Sequence, residues 1–281
     1  DNTGIYKGTL DALRSVLGYI RRSTQRYVIL TGSHTVFNTT FRAMVDQHID
    51  TGADITIMYN DVTVGHNDDQ FDELRMELDD TGRITDLQLN PYRPSSCHSS
   101  CDVFILEKAL LEYLIEEAAS HGCTDFIRDV LLRKVNTLKL YGWRYDGYIG
   151  CLSSIASYFT HNMNALKKEV RADLFNPDHP IYTKVKDEVP ARYLSTAKVR
   201  NSLVADGCVI EGEVDSCVLF RGVKVARGTR LTNCLVLQGC DIQEGCELDH
   251  VILDKGCTVH SGRRLAGYES FPVIIRKGSS I

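Results

Sequence analysis

The last third of the chain repeats itself at intervals of 17 residues. The positions that keep this spacing are two glycine columns and two apolar columns: Gly222, Gly239 and Gly256; Gly228, Gly245 and Gly262; Val225, Ile242 and Val259; Leu231, Leu248 and Leu265. A fixed period is typical of a solenoid, in which each repeat buries its apolar side chains against its neighbours. Short apolar segments with glycines between them favour a parallel β-helix of hexapeptide type, in which one coil holds three short strands.

The first part of the chain alternates predicted helices and strands in the order typical of an α/β domain. An amphipathic helix is predicted over residues 4–22, a buried strand over 26–30, a helix ending at Gly52, and a second buried strand over 54–59. The further predicted elements are strands over 71–78, 83–89, 102–106, 138–143 and 145–149, and helices over 107–119, 125–135 and 152–168.

A proline-containing stretch without a clear period separates these two patterns, which is typical of a linker. The sequence therefore predicts three parts: an α/β domain over residues 1–172, a linker over 173–195 and a β-helix domain over 196–281. The first domain has few strands for a complete doubly wound sheet.

The carboxyl end of the predicted strand over residues 26–30 is the expected place for a ligand, since open α/β sheets bind ligands beyond their strand ends. Thr31, Gly32, Ser33 and His34 follow that strand, without a carboxylate among them. A serine-histidine hydrolase is disfavoured, because adjacent strand residues point to opposite faces and cannot easily form a nucleophile and base pair.

The net charge and the cysteine content limit the binding partners and the cellular compartments to be expected for the chain. A formal net charge of -5 argues against nucleic-acid binding, and no apolar run is long enough for a membrane helix. Six of the ten cysteines lie at apolar positions of the repeat, which indicates reduced core side chains in the cytoplasm. Cys97, His98 and Cys101 have spacing that zinc tolerates, but no second pair matches it, so a metal is not expected.

Two segments resemble the bacterial glucose-1-phosphate adenylyltransferase (ADP-glucose pyrophosphorylase) family. Residues 6–12, YKGTLDA, are similar to the family's Y-x-G-T-A-D-A segment, and residues 190–212 resemble its linker and first coil. The resemblance covers nearly the whole chain. It implies the C-terminal portion of a Rossmann-like nucleotidyltransferase domain followed by a left-handed parallel β-helix, without the family's Gly-rich N-terminal portion.

The chain departs from the family at four functional positions. Ser33 occupies the place of the Mg²⁺-binding Asp in the L-x-G-D-H motif, and Cys151 that of the second metal Asp in G-Y-W-x-D-V-G-T. Asn90 replaces the phosphate-binding Lys of E-K-P, and Asp102 replaces a sugar-binding Gly. Mg²⁺ prefers carboxylate oxygens, for which a hydroxyl and a thiol are poor substitutes. These departures predict a chain without its own catalysis and without a bound cofactor.

The resemblance implies a regulatory, non-catalytic subunit in bacterial glycogen biosynthesis. Such a subunit modulates a catalytic glucose-1-phosphate adenylyltransferase partner, which holds the Mg²⁺, in a heterotetramer; self-association is a further expectation. The same resemblance points to Gly8, Thr9, Asp11 and Asp125 as substrate-binding positions, the last because Thr124–Asp129 is similar to the family's H-D-F-x-x-D segment.

A concentration of basic side chains in the repeat has two interpretations. Its members are Arg221, Lys224, Arg227, Arg230, Arg263 and Arg264. They are either a solvated face of the solenoid or a pocket or interface for a phosphorylated effector or a partner.

Two enzymatic alternatives remain open at this stage. One is a catalytically competent sugar-phosphate nucleotidyltransferase with an unusual site. The other is an acyltransferase of the β-helix type, for which His250 and His260 are the candidate histidines.

Overall fold

A computed structural model of the chain describes residues 6–61, 73–183 and 186–281. Their contacts divide the chain into two compact units: Asp1–Thr35 with Thr39–Gly147, and Val36–Asn38 with Tyr148–Ile281. The predicted boundaries at residues 172 and 196 follow the change of sequence pattern and stay a prediction. Part of the strand predicted over 71–78 lies outside the described residues.

The chain up to residue 147 forms a mixed α/β unit. Its helices are α1 (Thr9–Ser15), α2 (Leu17–Arg22), α3 (Arg42–Thr51), α4 (Lys108–Ser120) and α5 (Leu132–Lys134), with a π-helical turn at Ile127–Leu131. Its strands are β1 (Tyr27–Thr31), β2 (Thr35–Val36), β3 (Ile55–Asp61), β4 (Leu74–Leu78), β5 (Ile84–Leu89), β6 (His98–Glu107) and β7 (Leu140–Arg144). No helix in the described parts of the chain is both long and apolar enough to cross a membrane.

The long strand β6 is the centre of a six-stranded sheet with the order β5-β4-β6-β3-β7, and β1 also pairs with β6. Both β1 and β3 run antiparallel to β6, so they are parallel to each other with β6 between them. Among the described strands of this sheet, only β3 and β7 are adjacent and parallel. The sequence predicts parallel strands on either side of α3, and the structure places an antiparallel strand between them.

The core of the first unit lies between this sheet and its helices. Ile55 and Ile57 of β3 pack in one buried cluster with Leu106 of β6 and with Leu111 and Leu114 of α4. The continuous apolar run of β3 is buried over its first four residues, as expected for an interior strand covered on both faces.

Two predicted helices differ from the observed ones. The helix predicted over residues 4–22 is divided at Val16, whose main-chain N–H bonds to Leu13 O at 3.2 Å in a tight turn. The β-branched Val16 and the nearby Gly18 both have low helix propensity, which explains the break. The helix predicted over 125–135 begins as a π-helical turn, and the strand predicted over 145–149 is absent, since only Gly150–Cys151 forms a strand there.

The chain after residue 147 consists of two helices and a parallel β-helix. Its elements are β8 (Gly150–Cys151), α6 (Ile155–Asn164), α7 (Lys168–Leu174), β9 (Arg192–Tyr193), β10 (Lys198–Arg200), β11 (Leu203–Val204), β12 (Val209–Ile210), β13 (Glu213–Asp215), β14 (Val218–Leu219), β15 (Lys224–Val225), β16 (Arg230–Thr232), β17 (Leu235–Val236), β18 (Asp241–Ile242), β19 (Glu247–Asp249), β20 (Val251–Leu253), β21 (Thr258–Val259), β22 (Arg264–Ala266) and β23 (Val273–Ile275). Three five-stranded parallel sheets form its sides: β10-β13-β16-β19-β22, β11-β14-β17-β20-β23 and β9-β12-β15-β18-β21.

The strand register confirms the 17-residue repeat. Val225 pairs with Ile242 and Ile242 with Val259, so each predicted column is a stack of residues in successive coils. The first step is shorter, because Val199 pairs with Val214. The apolar columns point inward and form one continuous buried cluster, which is the core that no single coil could form alone.

Left-handed backbone conformations form the corners of the coils. Gly222 and Gly239 have φ of 69° and 72°, a region in which glycine has no steric penalty. At another corner the same conformation is taken by residues other than glycine, so sequence analysis did not identify it. These residues are Asn201, Ser216, Asn233 and His250, with φ between 44° and 53°.

The six cysteines of the repeat are buried and reduced, as the sequence predicts. Each thiol lies 3.0–3.1 Å from a main-chain carbonyl oxygen near a corner of the coil, to which it donates. A cysteine at these positions therefore fills the core like a small apolar side chain and also donates a weak hydrogen bond to a main-chain carbonyl oxygen.

Thiol reactivity provides a direct test of this arrangement. In a chelating buffer, we expect two of the ten thiols, Cys97 and Cys151, to react rapidly with a disulfide reagent, because they are the two exposed ones. Cys101 and Cys240 should not react until the protein unfolds, since burial raises their pKa to about 12 and about 11 and the thiolate is the reactive species. Mass spectrometry of the labelled peptides assigns the sites. Rapid labelling of the repeat cysteines in the native protein would contradict the buried core.

Candidate functional site

The loop after β1 is held against the middle of β6. Thr31, the last residue of β1, pairs with Val103, and the N–H of Gly32 donates to Asp102 O at 3.0 Å. Ser33 is exposed at the sheet edge and His34 is half-buried. The end of β1 is therefore the position at which the sequence predicts a ligand, and the exposed functional group there is the Ser33 hydroxyl.

A bulge in β6 places Asp102 beside this loop. Ile57 of β3 is opposite Phe104, whereas Tyr59, two residues later, is opposite Ser100, so β6 has two extra residues between these pairs. Asp102 lies in the bulge with a φ of 56°, a left-handed conformation that aspartate tolerates better than most residues. The Ser100 hydroxyl accepts the Asp102 N–H at 3.1 Å and fixes the turn.

The Asp102 carboxyl group covers the face of Gly32. A Cβ atom at residue 32 would lie 1.9 Å from Asp102 Oδ2 and 2.8 Å from the His34 ring, so a larger residue there would displace the Asp102 and His34 side chains. His34 Nδ1 lies 3.8 Å from the same oxygen. Burial raises the pKa of Asp102, the charge of His34 lowers it, and the Asp125 carboxylate raises it further. The carboxyl group therefore resists ionisation.

The structure brings together two of the segments that resemble the family. Gly8 lies so close to Thr124 that a Cβ atom would be 2.4 Å from the Thr124 carbonyl oxygen. That oxygen accepts the N–H of Leu10 at 2.9 Å, and the Thr9 hydroxyl accepts the N–H of Phe126 at 2.9 Å. Gly8 and Thr9 are consequently neighbours of Asp125, which is more than a hundred residues away in sequence.

The two predicted substrate-binding carboxylates have local structural bonds. Asp11 Oδ2 accepts the main-chain N–H of Lys7 at 3.2 Å, and Asp125 Oδ1 accepts that of Arg128 at 2.8 Å. The Thr9 hydroxyl likewise makes a structural bond, since it accepts the N–H of Phe126. Substrate contacts by these residues stay a prediction.

Asn90 ends β5 in a left-handed conformation, with a φ of 51°. Its side-chain oxygen accepts the N–H of Glu73 at 2.6 Å, and its own N–H donates to Glu73 O at 2.9 Å. The residue at the family's phosphate-binding lysine position therefore joins the end of β5 to the start of β4 and carries no positive charge.

Cys151 is exposed at the end of β8 in the second unit. Gly150 packs against the ring of His161, whose Nδ1 is 2.6 Å from the Tyr148 hydroxyl. Ser154 then caps α6 through a capping box with Ser157. The surroundings of Cys151 are thus ordered by hydrogen bonds, while the position itself offers a thiol.

The basic residues of the repeat lie on different faces of one coil. Lys224 is in β15 and Arg230 is in β16, which belong to different sheets, while Arg221 and Arg227 lie in the turns. Arg230 is paired with Glu213 at 3.3 Å. The structure therefore does not gather these four cations into one patch, and their role as an effector site or interface stays a prediction.

Arg230 belongs to a ladder of alternating charge that sequence analysis missed. Glu213, Arg230, Glu247 and Arg264 stack at the same register position of one sheet, below Lys198. Lys198 Nζ lies 2.7 Å from Glu213, and Arg264 Nε lies 3.2 Å from Glu247. The 17-residue spacing of the charges was the signal that could have identified it.

A second cluster of polar side chains lies at the carboxyl end of β3. Asp61 pairs with His98 across the β3–β6 ladder, and Cys97 precedes His98. The spacing of Cys97 and His98 is visible in the sequence, whereas Asp61 approaches them only through strand pairing. Cys101 lies within the buried part of β6 and does not join this cluster.

The raised pKa of Asp102 predicts a pH-dependent effect of Asp102→Asn. Below the unfolded-state pKa of about 3.8 the carboxyl group is neutral in both the folded and the unfolded protein. As the pH rises through the higher folded-state pKa, the wild type loses stability, whereas the amide variant has no such group to ionise. The stability of the variant relative to the wild type should therefore increase as the pH rises from about 3 to about 7, the range in which carboxyl groups titrate. Urea unfolding followed by the fluorescence of Trp143 measures this unit.

Asp79→Asn is the matched control with the opposite sign. The Thr81 hydroxyl bond lowers the pKa of Asp79, so its stabilisation is present at neutral pH and is lost as pH falls. A stability gap for Asp102→Asn that is constant with pH would contradict the buried carboxyl group.

Comparisons with known proteins match both parts of the chain. Residues 3–161 match the family model of nucleotidyl transferases, and residues 189–269 match the GlmU-like C-terminal hexapeptide model. The chain is 35% identical over 262 residues to the glycogen biosynthesis protein GlgD of Bacillus subtilis, covering 93% of this chain and 66% of that protein.

Two further relatives agree with this match. The GlgD protein of Geobacillus stearothermophilus is 35% identical over 212 residues, which cover 75% of this chain and 51% of that protein. The glucose-1-phosphate adenylyltransferase of Thermosipho melanesiensis is 28% identical over 225 residues, covering 79% and 54%. The chain spans between about half and two thirds of the length of these relatives. It belongs to the nucleotidyl transferase family, within the group of glucose-1-phosphate adenylyltransferases and GlgD proteins.

Proposed function

We propose that the protein acts in glycogen biosynthesis as a regulatory, non-catalytic subunit beside a catalytic glucose-1-phosphate adenylyltransferase. The catalytic partner would form ADP-glucose and diphosphate from ATP and glucose 1-phosphate. The similarity to GlgD proteins supports the process. The observation that carries the non-catalytic part of the proposal is the exposed Ser33 at the end of β1, where the family's metal carboxylate is expected.

Three substitutions remove the same kind of stabilisation. Nucleotidyl transfer needs a metal ion and cationic groups to offset charge that develops on the phosphates. Ser33 and Cys151 offer a hydroxyl and a thiol in place of the two metal carboxylates, and Asn90 replaces the lysine that meets the phosphate. Loss of one preorganised stabilising group typically costs about 10²–10³ in rate, so the three losses together should remove useful turnover.

Asp102, at the position expected to contact the sugar, also supports the proposal of a non-catalytic subunit. By the resemblance, the family has a glycine here that leaves room for the sugar. In this chain the half-buried side chain of Asp102 extends from that position over Gly32 and takes up part of the space. Binding of a sugar phosphate beside it would be unfavourable, because the Asp102 side chain takes up volume that the sugar would need.

A partner would then supply the missing chemistry. The Mg²⁺ would be bound by the catalytic subunit, and the assembly would be a cytoplasmic heterotetramer in which the β-helix domain contributes contacts. The reduced thiols of the β-helix support a reducing compartment.

One observation favours a second candidate, a competent nucleotidyltransferase with a displaced metal ligand. Asp102 lies in the bulge of β6 over Gly32, the residue before Ser33, so its carboxyl group could take over the role of the missing carboxylate. In that case Asp102→Asn would abolish turnover. Burial raises the pKa of Asp102 and so disfavours the ionised carboxylate that Mg²⁺ binds, which favours the regulatory proposal.

A reconstitution assay separates these two candidates. We expect the full-length protein alone to form no ADP-glucose above background from ATP, glucose 1-phosphate and Mg²⁺. Added to the catalytic subunit, it should form a complex on size-exclusion chromatography and change the KM or kcat of that subunit, which albumin at the same concentration should not do. Robust turnover by the protein alone, or the absence of both complex and kinetic change, would contradict the proposal.

Restoring the two carboxylates tests whether their loss is the reason for the expected lack of catalysis. Ser33→Asp with Cys151→Asp should increase Mg²⁺-dependent binding of ATP, measured by calorimetry, because two carboxylates return to the expected metal positions. The matched control is Ser33→Asn with Cys151→Asn, which has similar volume and no charge. Equal ATP binding by both variants would show that the missing charges are not the cause.

A further inference from the structure

Three different metal-binding side chains converge at the carboxyl end of β3. Asp61 is its last residue, and Cys97 and His98 lie at the start of β6. His98 Nδ1 is 2.6 Å from Asp61 Oδ1, and Cys97 Sγ is 3.8 Å from His98 Nδ1 and 3.9 Å from Asp61 Oδ1. All three donors thus face one small volume, and each is at least partly accessible from solvent.

These separations are close to those of a tetrahedral metal site. With metal bonds of about 2.3 Å to sulfur and about 2.0–2.2 Å to nitrogen and oxygen, tetrahedral geometry separates the donor atoms by about 3.4–3.6 Å. The observed 2.6, 3.8 and 3.9 Å differ from this by less than an ångström. Small side-chain rotations are therefore enough to place one cation between the three atoms.

A buried arginine holds the loop that carries Cys97. Arg75 is almost fully buried and donates to the carbonyl oxygens of Ser96 at 3.3 Å and Cys97 at 3.1 Å. Its charge is paired with Glu73 at 2.7 Å. The main chain of the thiol donor is thus fixed before any ligand binds, which lowers the entropic cost of forming a site.

Neighbouring groups also orient the other two donors. Arg144 Nη2 lies 3.1 Å from Asp61 Oδ2, which leaves Oδ1 directed to His98 and Cys97. The His98 ring packs edge-on against Tyr59, with ring centroids 4.9 Å apart. A thiolate and a carboxylate carry two negative charges, and Arg144 offsets one of them, so a divalent cation would be electrostatically favoured.

We propose that Asp61, Cys97 and His98 form a site for a zinc-class divalent cation, with a fourth coordination position open to water or an exogenous ligand. The sulfur and imidazole donors select zinc or cobalt over Mg²⁺ and Ca²⁺, which prefer oxygen. Cys101 is excluded as a ligand, because it is buried and its pKa is raised to about 12. The site is independent of the degenerate magnesium positions, so it does not rest on the regulatory proposal.

Cobalt substitution tests the site with a spectroscopic readout. The metal-free protein, titrated with Co²⁺, should bind a single ion with a near-ultraviolet thiolate-to-metal absorption band, and Zn²⁺ should displace it. Cys97→Ser should abolish the band. Asp61→Asn and His98→Gln should each weaken binding at least about 100-fold, since even loss of an outer-shell partner costs 10–100-fold. Cys151→Ser, which removes the other exposed thiol, is the matched control and should change nothing.

A measurement on the unmodified protein covers the case in which a variant fails to fold. Zn²⁺ should protect Cys97 from alkylation while Cys151 reacts at its usual rate, as read by peptide mass spectrometry. Co²⁺ binding without a thiolate band, a band that survives Cys97→Ser, or equal alkylation of both thiols with and without Zn²⁺ would each overturn the proposal.

Discussion

The two edges of β6 organise the first unit. One edge bonds to β3 along most of its length, and the other bonds first to β4 and then to β1. The bulge at Asp102 interrupts this pairing, and it is what brings a carboxyl group over Gly32. The start of the same strand carries Cys97 and His98 to Asp61. Both clusters at the sheet edge therefore depend on the register of one strand, and a slip of β6 would disperse them together.

The β-helix was predictable because its physical determinants are local and periodic. A coil buries one inward side chain per strand and turns at its corners, so apolar residues and glycines recur at a fixed spacing that the sequence displays directly. The corner built from Asn201, Ser216, Asn233 and His250 was not predicted, because these residues adopt a left-handed φ without being glycine. Asparagine tolerates this conformation, but its presence alone does not indicate it.

The candidate site was only partly predictable, for a different reason. Ser33 and Cys151 were recognised by their positions in motifs, which needs no knowledge of pairing. The neighbours of Ser33 were not, since Asp102 approaches Gly32 through a bulge that the apolar pattern of residues 102–106 does not reveal. Asp61 meets His98 only because β3 and β6 are antiparallel partners, and the sequence predicts no strand between residues 89 and 102. Contacts set by register, rather than by composition, were therefore missed.

Residues needed for close packing are kept in this chain, whereas the metal carboxylates and the phosphate-binding lysine expected from the resemblance are replaced. Gly8 packs so closely against the main-chain carbonyl of Thr124 that no side chain fits there, and Gly32 packs against the side chain of Asp102; both are glycines that the family's motifs share. They are retained although the carboxylates and the lysine of those motifs are replaced. A glycine that permits close packing is needed for the fold whether or not a metal binds, whereas a metal carboxylate carries an electrostatic cost that only catalysis justifies. Retention of the first and loss of the second is the pattern expected of a subunit whose surface, rather than its chemistry, is still required.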